Sequence, residues 1–144
     1  MSALDWLTAR FAAAADTTAL VWRGDAYSYA WLLNALDLWR ARLSRDGVRA
    51  TDVVSLAAEF SPHAVAALLA LVEGRSTIVP LTRATSSAQD ACRETAQVSV
   101  DITVQPDDTA VVTRCDRVPS HPLYEALWRA NHPGLILFSS GSTG

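Results

Sequence analysis

The sequence predicts an α/β fold, with a partly parallel sheet flanked by helices. Three observations carry this. Short apolar runs alternate with amphipathic or apolar helical segments along the chain. Between residues 53 and 81 the order is strand, Ser-Pro helix start, apolar helix, glycine, strand. That order, complete within about 30 residues, is the pattern of a βαβ unit with a parallel pair and a right-handed crossover. Finally, 50% hydrophobic and 19% charged residues over 144 positions suit one domain with a real core rather than a disordered chain.

Taken in order, Leu4, Leu7 and Phe11 predict a short amphipathic helix. Residues 19–22 read as a strand, residues 23–26 as a turn and residues 27–29 as the return, making a small hairpin. Ser28 is placed to cap a helix in which Leu32, Leu33, Leu36, Trp39 and Leu43 recur at helical spacing, with Asp37, Arg40 and Arg42 left for water. Gly47 sits where a left-handed helix end is preferred. Residues 53–58 form a buried strand. Ser61 and Pro62 open the next helix, which is apolar on nearly every side from Ala64 to Val72 and stops at Gly74. Residues 76–81 are the following strand. Residues 86–96 predict a helix by a weaker pattern. Residues 98–104 alternate as a strand with one wet face, and residues 109–113 form another short strand. Residues 121–130 predict a helix with Tyr124, Leu127 and Trp128 on one face. A turn at residues 131–134 then leads into a final apolar strand, Leu135-Ile136-Leu137-Phe138.

Composition bounds the function. The net charge is −3 and no basic block occurs, which argues against nucleic acid or an anionic membrane as the main partner. The longest strongly apolar stretch, residues 64–72, is far too short to span a bilayer. The N-terminus lacks the basic region and apolar core of a secretory signal. Cys92 and Cys115 have no CxxC spacing and read as free thiols of a reducing compartment, so a cytoplasmic location is expected. Every basic side chain is arginine; the chain contains no lysine.

The chemistry-bearing segment is the last one. The final strand runs into Ser139, Ser140, Gly141, Ser142, Thr143 and Gly144. Three readings compete: an engineered Ser/Gly linker, an ordinary loop, and a phosphate cradle. A linker needs no buried strand as its base, and its composition would not require threonine. For the cradle, glycines let backbone approach the oxygens, while N–H groups and hydroxyls supply donors. Neither G-x-x-x-x-G-K-[ST] nor G-x-G-x-x-G is present.

Residues 138–144, Phe-Ser-Ser-Gly-Ser-Thr-Gly, resemble the signature loop of the adenylate-forming superfamily, which includes acyl-CoA synthetases, luciferases and peptide-synthetase adenylation domains. All seven positions fit; the proline-lysine-glycine segment that follows in the family is not present. Residues 26–32 resemble its early Thr-Tyr-x-x-Leu segment, with Ser28 for Thr. Residues 47–54 resemble its Gly-Val-x-x-Gly-Asp segment, with Thr51 for Gly. Residues 66–80 resemble its helix-then-strand segment, with Arg75 where a small residue is common. Residues 82–132 follow the pattern loosely.

The resemblance implies that residues 1–144 are the N-terminal part of a larger adenylating domain that continues beyond Gly144. It implies a ligase that attacks Mg-ATP with a small-molecule carboxylic acid and passes the acyl group to a thiol. That thiol is coenzyme A or the phosphopantetheine of a carrier protein. ATP and Mg2+ are the implied cofactors, and Ser139–Gly144 would hold the β- and γ-phosphates. No acid, base, nucleophile or metal ligand is assigned within the chain. The family's adenine pocket, its Mg-binding glutamate and both mechanistic lysines would lie downstream, so the 144 residues alone are expected to be inactive. The alternative is a non-catalytic phosphate-binding or packing module.

Other residues have plainer readings. His63, His121 and His132 lack metal-ligand spacing and suit turns or helix caps. Glu59 is either a solvated loop acid or a group facing a ligand at a sheet edge. Trp22, Trp31, Trp39 and Trp128 suit packing faces. Asp107 and Asp108 suit a hydrated turn.

Overall fold

The computed structural model describes residues 2 and 4–139. Helix α1 (Asp5–Ala13) precedes a hairpin of β1 (Thr18–Trp22) and β2 (Asp25–Ser28). Then come α2 (Tyr29–Arg45), β3 (Val53–Ala57), α3 (Pro62–Glu73) and β4 (Thr77–Leu81). A 3-10 segment (Arg83–Ala88) leads into α4 (Gln89–Thr95), followed by β5 (Val100–Val104), β6 (Ala110–Arg114), α5 (Pro122–Ala130) and β7 (Gly134–Leu135).

The main sheet has the order β6-β5-β3-β4-β7. β5, β3, β4 and β7 are parallel, and only β6 runs against its neighbour. The expected βαβ unit is present: β3 and β4 pair in parallel from Val53↔Thr77 to Ala57↔Leu81, joined by α3. All five β3 residues are buried, as a strand covered on both faces must be.

Strand alternation divides the core in two. Val54, Leu56, Ile78, Val100 and Ile102 meet Leu36, Trp39 and Leu43 of α2 and Ala66, Ala67 and Leu71 of α3. Val53, Ala57, Val79 and Leu81 meet Cys92 of α4 and Tyr124 of α5, with Ile136 and Phe138 packed alongside. The polar residues on this second face pair with one another: Arg93 donates to Asp101 at 2.9 Å, and Ser55 and Thr103 also donate to Asp101.

The predicted caps form. The Ser28 hydroxyl accepts from the Trp31 N–H at 3.1 Å, and Ser61 accepts from the Ala64 N–H at 3.2 Å. Gly47, at φ 70°, closes α2, with the Val48 N–H reaching back to the Leu43 carbonyl at 2.9 Å.

The stop at Gly74 is as expected, Gly74 being the C-cap of α3 at φ −70°, and the left-handed residue that follows is Arg75 at φ 61°. Several expectations need correction. The helix over residues 86–96 divides into a 3-10 segment and the shorter α4. The final strand is two residues long rather than four. Among the described residues it is an edge strand paired only with β4, and beyond the Ile136 N–H, which donates to Ile78 at 2.9 Å, Phe138 packs against the second core. The acidic turn also does more than hydrate. Asp107 accepts from the Thr109 N–H and hydroxyl, while Asp108 accepts from the His63 N–H and so caps α3.

Candidate functional site

β3 leaves its carboxyl end toward α3 on one face of the sheet, and β4 leaves toward α4 on the other. Adjacent exits in opposite directions open a crevice, and in sheets of this kind that crevice is where ligands bind. A cavity of about 470 Å3 lies there. Its floor is the strand ends at Ala57, Leu81 and Val104. Its rim is Glu59, Phe60, Arg83 and Gln105, and the tip of the first hairpin closes it with Trp22 and Arg23.

The two exit loops are tied together. The Ala58 N–H donates to the Leu81 carbonyl at 2.9 Å, and the Glu59 carboxylate accepts from the Arg83 N–H at 2.6 Å. Glu59 is exposed, and it lines the cleft while holding the Arg83 backbone. The Arg23 guanidinium lies 4.4 Å from the centroid of Trp22, placing a flat cation at the cleft mouth. The non-glycine turn residue Arg23, at φ 53°, allows that placement.

β7 is the neighbour of β4 and runs in the same direction. The chain after it therefore leaves at the carboxyl edge, the edge that bears the cleft. Ser139 is exposed there. Ser140, Gly141, Ser142, Thr143 and Gly144 lie outside the described residues, so the fold supplies the strand beneath the expected cradle and its direction.

Sequence reasoning missed the hairpin tip and Arg83 as parts of the cleft. The strand-helix-strand order signals the loops of β3 and β4, but nothing local signals that residues 22 and 23 arrive from so far upstream. The histidines behave as caps and packing groups: His121 caps α5, accepting from the Leu123 N–H, and His63 accepts from the Trp39 indole at 3.2 Å. Among the described residues no group of His, Cys, Asp and Glu is arranged to hold a metal. No described helix is long and apolar enough to cross a membrane.

No family model matches the chain, and no curated protein matches it. Solved structures do. The N-terminal subdomain of Klebsiella oxytoca NpsA in complex with 3-hydroxyanthranilyl-AMSN superposes with a TM-score of 0.71 at 21% identity, covering 100% of this chain and 39% of that one. NpsA-ThdA, an artificially fused adenylation-PCP di-domain, gives 0.71 at 18% identity, covering 97% of this chain and 29% of that one. The luciferase-like enzyme of the mealworm Zophobas morio gives 0.62 at 13%, covering 99% and 32%. This chain thus spans well under half the length of the structures it matches. It has the α/β fold of the N-terminal subdomain of an adenylation protein.

Proposed function

We propose that these residues are the N-terminal portion of an ATP-dependent ligase that activates a carboxylic acid as an acyl-adenylate and passes it to a thiol. The observation that carries the reading is the direction of β7. The chain leaves β7 at the carboxyl edge of a mostly parallel sheet, with the sequence Ser-Ser-Gly-Ser-Thr-Gly following Phe138, and the chain superposes over its full length on an adenylation subdomain. The subdomain's acyl-AMSN ligand supports an adenylate intermediate, and the fusion of NpsA to a PCP supports a carrier protein as acceptor, with coenzyme A as the other thiol.

In this reading Ser139–Gly144 hold the β- and γ-phosphates as charge moves onto the departing pyrophosphate, so catalysis rests on positioning and electrostatics. Mg2+ enters bound to the triphosphate, since such sites use few protein ligands. The acid and the adenine are held by residues beyond these 144. A cytoplasmic location fits two free cysteines.

Alanine variants of Ser142 and Thr143, made in the longer protein, test the assignment. Each lost charge-assisted hydrogen bond is expected to lower kcat/KM for ATP by about 10- to 100-fold, with an unchanged melting temperature. Unaltered ATP kinetics would make the segment an ordinary loop. A collapsed melt would make it structural.

A further inference from the structure

A second cavity, of about 410 Å3, lies at the opposite end of the strands, where β3 and β5 begin and β6 finishes. Its floor is a closed polar network. Asp52 is buried, and its carboxylate accepts from Ser99 Oγ at 2.9 Å, the Arg49 N–H at 2.8 Å and Arg114 Nη1 at 3.1 Å; Arg114 also donates to the Gly47 carbonyl at 2.7 Å. Arg114 is therefore neutralised and fixed.

The rim differs. Arg49 and Arg117 both line this cavity, and neither guanidinium has a hydrogen-bond or ionic partner among the described residues. Most arginines here are engaged: Arg40 and Arg93 hold carboxylates, Arg42 a carbonyl and Arg75 an amide oxygen. With Asp52 already committed to Arg114, the one free countercharge in the lining is Asp116. Two exposed, uncommitted guanidiniums and one carboxylate thus line a recess that Val118, Pro119 and Trp128 also line, and the buried Trp128 indole N–H has no hydrogen-bond partner among the described residues. Guanidinium forks match tetrahedral oxyanions through paired N–H donors, and the free indole N–H adds a donor in the same lining.

We propose that this amino-edge cavity binds a phosphate group of a small ligand, with Arg49 and Arg117 as its two clasps. The pocket is separate from the carboxyl-edge cleft and does not depend on the ligase reading.

The test is a titration of the 15N-labelled 144-residue chain with inorganic phosphate at constant ionic strength, following the Trp128 indole N–H and the Arg49 and Arg117 side-chain Nε–H resonances by NMR. Saturable shifts with a dissociation constant of about 1–10 mM are expected. Arg49→Ala or Arg117→Ala should each weaken binding by about tenfold, while Arg83→Ala at the other edge should not. Acetate, with the same charge sign but no tetrahedral group, should bind more weakly than phosphate. The proposal is overturned if the three reporter resonances do not saturate up to about 50 mM, well above that range, or if sodium chloride reproduces the shifts. It is also overturned if phosphate moves only resonances near Ser139, which would place binding at the carboxyl-edge loop. Unweakened binding in both arginine variants, with amide spectra showing them folded, has the same consequence.

Discussion

Asp52 shows how a single residue holds the amino edge together. Burial pushes its carboxyl up, but the hydrogen bonds from Arg114, the Arg49 N–H and Ser99, with the charge of Arg114, outweigh that and hold it below the ordinary carboxylate value. Arg40, and then the Ser2 hydroxyl, likewise lower Glu73 against the opposing effect of burial, tying the N-terminus and α2 to α3. A depressed native pKa gives stability that is complete above the unfolded value and is lost as pH falls through the native one. Stability should therefore decline below about pH 4, the ordinary carboxylate range. Asp52→Asn should cost about 2–3 kcal/mol at pH 7, from weakened charge-assisted hydrogen bonds in a buried site. It should also flatten the acid limb of a urea-denaturation series across pH. An unchanged acid limb would assign that limb to other carboxylates. The partners of Asp52 come from Ser99 and Arg114, far along the chain, so the sequence marks the aspartate at the strand start without revealing what holds it.

At the scale of elements, the helix starts were legible because their chemistry is local: Ser28 and Ser61 cap within three residues. Ser61→Ala should cost about 1 kcal/mol, read from a thermal or chemical melt. The helix ends were less legible. The chain uses Arg75, Gln97 and Asn131 at positive φ where glycine would signal the turn, and only Gly47 gives that signal. Arg75 and Asn131 are joined by a 2.7 Å hydrogen bond, so two helix ends stabilise each other across the molecule. Arg75→Gly should relieve the left-handed backbone and raise stability by up to about 1 kcal/mol, less whatever that exposed bond contributes. β7 was over-read because a run of four apolar residues looks like a strand wherever it lies, whereas its ladder depends on a single neighbour. Gly134 pairs with Thr77 at the start of that ladder. A Cβ there would stand 2.6 Å from Leu127 Cδ1 and 3.0 Å from Thr77. Leu127 Cδ1 can rotate away, but the side chain of buried Thr77 leaves the methyl a tight fit, so Gly134→Ala should cost about 1 kcal/mol, with reduced amide protection at Ile136 as the local readout.

Across the whole molecule, the sheet sends its parallel strands toward one edge, and that edge gathers the cleft, the hairpin tip with Arg23, and the exit of β7. The layered fold could be read from the alternation of elements, since most strands and helices announce themselves by local pattern. The cleft could not, because it is assembled from loops spread between Trp22 and Pro106. On the proposed function, this architecture begins an acid-activating ligase. Acid-dependent exchange of radiolabelled pyrophosphate into ATP tests it most directly, comparing the 144-residue chain with a longer protein that continues past Gly144 and screening carboxylic acids. Exchange is expected in the longer protein with at least one acid and none in the 144 residues, which have no lysine to contact a reacting carboxylate. Robust exchange by the short chain would place the chemistry within the 144 residues, and none in the longer protein with any acid would rule out an acid-activating ligase.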